Sequence, residues 1–305
     1  VRTLSFLARF LLIALLLAMP ATTFAAAGEI SPKDDPQAEA TPVPEAEPAP
    51  IPAPAKVTIM PHRAIYDMKL ASVKNGSNIT GVSGRMLFEW ADVCDGWAVQ
   101  QHLQLHFNYA EGDESDVTST VVSWESKDGK RYNFNVRRVS DGKVTDVFHG
   151  KGTVGEDGGL VTYTAPADKK TKLVSGTIFP SRHTELLIQK AEAGEKLFTR
   201  RVFDGSDEDG QDDISAFIGA ENANMQTADL DPKLKNSPLL AQPSWPIRMA
   251  FFKTDTDTGE PDYEMNLTLL ANGVARDMRL DYGDFSVSGT LTDIEPLPPP
   301  TGCQG

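Results

Sequence analysis

The sequence predicts an all-β protein with one or two helices, built from consecutive antiparallel hairpins that form a barrel, half-barrel or strongly curved sheet. Three observations carry this. Short runs alternate with period two: in "HLQLHFNY", Leu103, Leu105 and Phe107 alternate with His102, Gln104 and His106. Hairpin dipeptides stand between such runs, at Asp128-Gly129, Asp141-Gly142 and Asn272-Gly273. About a dozen strand-like runs follow at close spacing, with few helical patterns among them.

The elements follow in order. "HRAIYDMKLASV" opens the domain, and "DVTSTVVSWES" and "RYNFNVRRV" flank the turn "KDGK". "RRVSDGKVTDVF" repeats that arrangement, and "GGLVTYTAP" is another short strand. "FPSRHTELLIQKAEAGEK" is the helix, with Ser181 as N-cap, Glu185 in its first turns and Gly194 as its stop. Leu186, Leu187 and Ala191 give it one apolar face, suited to plugging or covering a curved sheet. "PIRMAFFKTD" and "DYEMNLTLLANGVARDMRLDYGDFSVSGTLTDIEP" form the last strands, with Asp281 to Asp284 as a further turn.

Three domain-level segments are expected. Residues 1–27 carry Arg2 and Arg9, an apolar run from Phe10 to Met19 and small residues near Ala25 to Ala27, the layout of a cleaved secretory signal peptide. The run is shorter than the roughly 20 residues of a membrane span, so an exported protein, not an integral membrane protein, is expected. Residues 28–60 are rich in Pro, Ala and Glu and read as a disordered tether, reaching roughly 80 Å if extended as polyproline. Residues 61–305 then form a single β domain, with a mobile acidic and Pro-rich loop near 204–245. The formal charge is -14. Loss of the two signal-peptide arginines takes it to -16, an acidity that disfavours nucleic acid and anionic lipid surfaces as partners.

The chemical motifs are sparse. No Gly-x-Ser-x-Gly elbow, P-loop or Gly-x-Gly-x-x-Gly occurs, and His62, His149 and His183 have no triad context, so no catalytic residue, cofactor or metal is expected. "DGSDEDGQDDIS" fails as an EF-hand: with Gly210 at position 6, Gly205 falls at position 1 and Ala216 at position 12. A looser divalent site from Asp204, Asp207, Asp209 and Asp212 stands beside the plainer reading of a solvated acidic loop. His102 and His106 would sit about 13 Å apart on a strand and cannot share a metal. Trp90, Trp97, Trp124 and Trp245 either line a ligand cavity or fill the core; the first three are the cavity candidates. Cys94 and Cys303 are the two cysteines. Cys94 lacks a visible activating partner or a second nearby ligand, and in an exported chain an even pair favours a disulfide.

The segments "PHRAIYDMKL", "GVSGRMLFEWADVCDGW" and "RRVFDGSDEDG", with Cys303 after "PLPPPTG", resemble the cell-envelope integrity protein B (EipB) family of periplasmic proteins. The likeness covers about His62 to Cys303. It implies a spiral-like, strongly bent antiparallel sheet resembling a half-barrel. It implies a Cys94–Cys303 disulfide and a role in keeping the envelope intact under stress, without known catalysis. It also implies a link to a periplasmic tetratricopeptide-repeat protein. The expectation is therefore a monomeric, non-catalytic periplasmic protein acting through protein contacts. The alternative is a carrier of a lipid or other apolar envelope molecule in the concave face, by analogy of fold with periplasmic lipoprotein carriers.

Overall fold

Backbone pairing and inward side-chain parity define one continuous sheet. The structure is a computed structural model, described for residues 57–207, 210–222, 231–254 and 259–303; the expected signal peptide and most of the expected tether lie outside these. The first arm of the sheet is β1 (His62–Val73), β2 (Ile79–Asp92), β3 (Gly96–Tyr109), β4 (Glu114–Ser126), β5 (Arg131–Ser140), β6 (Lys143–Gly155), β7 (Gly158–Ala165) and β8 (Lys170–Leu173). Helix α1 (Pro180–Glu192) follows. The second arm is β9 (Leu197–Phe203), β10 (Gln211–Ile218), β11 (Ser244–Lys253), β12 (Tyr263–Leu270), β13 (Ala275–Asp281) and β14 (Phe285–Pro296).

All fourteen strands share one antiparallel sheet, ordered β8 to β1, then β14 to β9. The first strand thus pairs with the last, and α1 links the two strands at the sheet's ends. Those ends are drawn together: Ile178, just before α1, makes a parallel bridge to Val202 of β9. The result is a nearly closed, barrel-like sheet. The hairpin dipeptides turn where the sequence places them, with Asp141 and Gly142 both at positive φ, 50° and 74°, the pair of values a type I′ turn needs.

A rolled sheet needs contents, and the chain supplies them. Leu187, Ile188 and Ala191 of α1 pack with Trp90, Trp97, Phe198, Val202, Ile214 and Trp245. At a second cluster, Leu234, Leu239 and Leu240 pack with Tyr66, Met68, Phe107, Leu270 and Val287. A third is aromatic: Tyr132, Phe134, Tyr163, Phe179 and Phe203, with the Tyr132 and Phe179 rings 4.9 Å apart.

Three expectations are corrected. The segment 204–245 is not one mobile loop. It contains β10, paired to β9 and β11, whose inward side chains are Asp212, Ile214, Ala216 and Ile218. The acidic run hides this alternation because one inward residue is itself an aspartate. Further along, Leu239 and Leu240 are 2% and 1% exposed, and Asn272 Nδ2 donates to the Leu239 carbonyl at 2.8 Å. The fold also begins before residue 61: Ile59 is buried and the Met60 N–H donates to the Asn272 carbonyl, because "VTIM" restores apolar residues after the Pro-Ala run. Finally, Ser181 does not cap α1; the cap residue is Phe179, without a side-chain bond. Gly194 does end the helix, at φ 74°, where glycine adopts the left-handed region without a Cβ penalty.

Candidate functional site

The rim around Cys94 gathers four elements. Asp92 to Gly96 form the β2–β3 turn, in which the Cys94 N–H donates to Asp92 Oδ1 at 2.9 Å and Cys94 itself sits at φ 69°. Gly96 follows because a Cβ there would run into the Trp124 indole. Lys127, from the β4–β5 turn, lies over the Trp97 ring and pairs with Asp92 Oδ2 at 2.9 Å. Trp97 Nε1 donates to Glu185 of α1 at 3.0 Å, and Glu185 also pairs with Arg182 at 3.1 Å. After β14, the Leu297 N–H donates to the Pro61 carbonyl, and the tail crosses β1 to join Cys303 to Cys94, their Cα atoms 5.4 Å apart. Both cysteines are exposed.

Glu125, buried on β4, supplies the helix cap that Ser181 does not. Its Oε2 accepts from the Ser181 N–H at 2.7 Å and its Oε1 from the Arg182 N–H at 2.9 Å, satisfying two donors that a helix start leaves open. A carboxylate there also matches the positive end of the helix dipole. Burial pushes the Glu125 carboxyl up to about 7, against the pull of those two N–H groups. The sequence signal was a Glu at an inward strand position, shared in parity with Val121 and Ser123.

The acidic segment does not form a solvated loop. Gly205, at φ 72° and against the Phe134 ring, turns the chain inward. Tyr132 and Tyr163 hydroxyls donate to the Asp204 and Asp207 carbonyls, and Arg138 donates to the Ser206 carbonyl. Lys253 of β11, its side chain 2% exposed, pairs with Asp207 and, at 3.1 Å, with Asp212. Burial pulls Lys253 down, but Asp212 and Asp207 outweigh it and hold the ammonium charged. Burial pushes Asp212 up to about 7, with Lys253 opposing, and raises Asp204 as well. A lysine ammonium thus stands among the aspartates of the candidate divalent site, of which Asp209 lies outside the described residues. Among the described residues no group of three or more acidic, His or Cys side chains is arranged to hold a metal.

Trp90 and Trp97 are 4% and 8% exposed, edge-to-face at 5.9 Å, and both belong to the core packed on α1. Trp124 lies on the outward parity of β4, half-buried, with the Arg131 guanidinium over its ring. The three candidates therefore do not line one common cavity. Two depressions on the described surface lie elsewhere and mix polar and apolar side chains: one is lined by Arg63, Ile65, Leu87, Glu89 and Glu295 among others, the other by Arg85, Leu105, His106, Asp116 and Val117. His102 and His106 bond separate partners, Thr120 and Asp116. His183 is buried on α1, stacked on Phe198, and burial pushes it down to about 4.

A family profile described as EipB-like matches residues 53–298. The chain belongs to this family. It is 31% identical over 241 residues, 78% of this chain and 85% of the relative, to the "Cell envelope integrity protein EipB" of Brucella abortus. Among solved structures it is similar to a beta-barrel-like protein of a domain of unknown function from Brucella abortus. That similarity has a TM-score of 0.72 and 30% identity, covering 79% of this chain and all of the other. No helix among the described residues is long and apolar enough to cross a membrane.

Two predictions follow from this geometry. The bridge closes a loop with a separation of 209 residues, which chain entropy values at no more than about 5 kcal/mol. Cys94→Ser and Cys303→Ser lower the melting temperature alike, the double variant is no worse than either, and a reductant brings the parent to the same value. For His183, burial holds the folded pKa below the unfolded one. Its contribution is present above about pH 6.5 and is lost as pH falls toward 4, by about 3 kcal/mol. Glu125 and Asp212 act in the opposite sense, losing theirs as pH rises from about 4 to 7, but are common to parent and variant. Urea unfolding at pH 7 and pH 4 therefore gives a change in stability on acidification that is more favourable in His183→Leu than in the parent, by about that amount.

Proposed function

We propose that this protein is a non-catalytic factor of cell-envelope integrity, exported to the periplasm, that works through contacts with other proteins. The observation that carries the contact reading is the filled interior. Among the described residues the apolar side of the rolled sheet is packed by α1 and by Leu234, Leu239 and Leu240, which supports recognition through the outer surface. Membership in the EipB-like family, with a relative named for envelope integrity, supports the role. The signal-like residues 1–27 and the paired cysteines support export to an oxidising compartment.

The partner implied by the family resemblance is a periplasmic tetratricopeptide-repeat protein, whose helical concave surface suits an exposed protein face. A photo-crosslinking residue at exposed strand positions in living cells tests this. The expected result is a discrete envelope-protein adduct that vanishes when the tagged partner gene is deleted. A protein that rescues envelope-stress sensitivity of its deletion strain while forming no envelope-protein adduct at any position contradicts the contact reading.

A further inference from the structure

The whole-chain charge hides an anisotropy. The outward positions of β5 to β8 carry Arg131, Arg137, Lys151, Lys170 and Lys172, all exposed. The other outward residues there include Asn133, Asn135, Val144, Val147, His149, Thr153, Leu160, Thr162 and Thr164, and no carboxylate is among them. The pairing register lines the cations up. Asn133, Lys151, Thr162 and Lys170 form one cross-strand row, and Arg131, Thr153, Leu160 and Lys172 form the next. Two strand spacings, roughly 10 Å, separate Lys151 from Lys170. Of the carboxylates of β5 to β8 and their bounding turns, Asp128, Asp141, Glu156, Asp157 and Asp168 sit in the hairpin turns, and Asp146 is on β6 at the inward parity, opposite Arg138. Five positive charges on one face of a chain with formal charge -14 are the reverse of its average.

Apolar side chains interleave with them. Leu160 is 42% exposed and Val147 36%, and Val122, on the adjoining β4, is 43% exposed. Trp124 borders the patch with Arg131 over its ring. The side chains of Arg137 and the three lysines make no hydrogen bond or ion pair among the described residues. By contrast, on the outer face of β1, β2 and β14, Arg63 pairs with Glu89 and Glu295 and Arg85 with Asp67.

We propose that the outer face of β5 to β8 is a docking surface for a lipid bilayer rich in anionic phospholipid. Charge complementarity supplies the attraction, which falls off within a Debye length, about 8 Å at physiological salt; the face is therefore read locally and not by the net charge of the chain. The side-chain chemistry favours a bilayer over an acidic protein. Lysines are point charges on flexible stems that match mobile phosphates, without the fixed bidentate geometry of arginine on a carboxylate. Exposed aliphatic groups and a border tryptophan suit the headgroup boundary. The patch is the convex side of a sheet, without the pocketed aromatic anchor that dominates protein interfaces. The contact is peripheral, and it stands whichever protein the chain also binds.

Vesicle co-sedimentation tests it, with the full chain and vesicles of either pure phosphatidylcholine or phosphatidylcholine with about a third phosphatidylglycerol. The expected result is binding to the anionic vesicles alone, abolished by high salt. Lys151→Glu, Lys170→Glu and Lys172→Glu combined lower that binding at least tenfold. Lys69→Glu, Arg85→Glu and Arg279→Glu combined change net charge equally on another face and leave it within about threefold. Melting curves establish that both variants fold. No phosphatidylglycerol-dependent binding by the parent overturns the proposal and leaves an acidic protein as the occupant; equal losses in the two variants overturn it as well, by assigning the effect to net charge.

Discussion

A fourteen-strand sheet rolled on itself has an interior that strand side chains alone do not fill, and the fold is organised around filling it. Helix α1 enters one region and the Leu234 to Leu240 segment another. Placing a helix start inside a sheet strands its first N–H groups away from water, where each unsatisfied donor costs about 1–3 kcal/mol. Glu125 is the answer to that cost. Its own burial is unfavourable, which raises its pKa, so the same carboxylate is both the support of the helix and a strain on the strand that carries it. Trp97 then fixes the helix laterally through Glu185.

Closure of the roll uses polar chemistry at the ends of the chain's two arms. Asp204 to Asp207 turn inward, held by Tyr132, Arg138 and Tyr163 from the first arm and by Lys253 from the second. An ion pair so buried gains little over an apolar contact, yet removing one partner leaves an uncompensated charge; its value is therefore specificity, fixing which strand meets which. The disulfide does the equivalent work at the opposite rim, where the tail after β14 crosses β1 and is fastened to the β2–β3 turn. Covalent and ionic clamps thus hold a sheet whose end strands have no regular partner beyond the Ile178 bridge.

Much of the architecture was legible in the sequence. Period-two runs and Asp-Gly or Asn-Gly turns are local signals, and they identified most strands because each strand buries one face. The helix was legible for the same reason, at period 3.6. What escaped was chemistry set by distant partners. Ser181 looked like a cap because local sequence favours serine there, whereas the capping group comes from Glu125, 56 residues earlier. Strand β10 was concealed because Asp212 occupies an inward position, which only Lys253 makes tolerable. Composition misled in a further way: a summed charge of -14 says nothing about its distribution, and the cations of β5 to β8 become a face only through the pairing register.

On the proposed reading, the interior serves the protein's own stability and the surface serves its role in the envelope. The carrier alternative requires the opposite, an apolar interior that exchanges its contents for a lipid. Native mass spectrometry of the protein, purified from cells and then offered excess phospholipid or fatty acid in neutral micelles, separates the two most directly. The account predicts the mass of the bare chain with its disulfide, before and after the challenge. A stoichiometric lipid adduct that survives high salt and is lost when Leu187 or Leu240 is enlarged to tryptophan would contradict it.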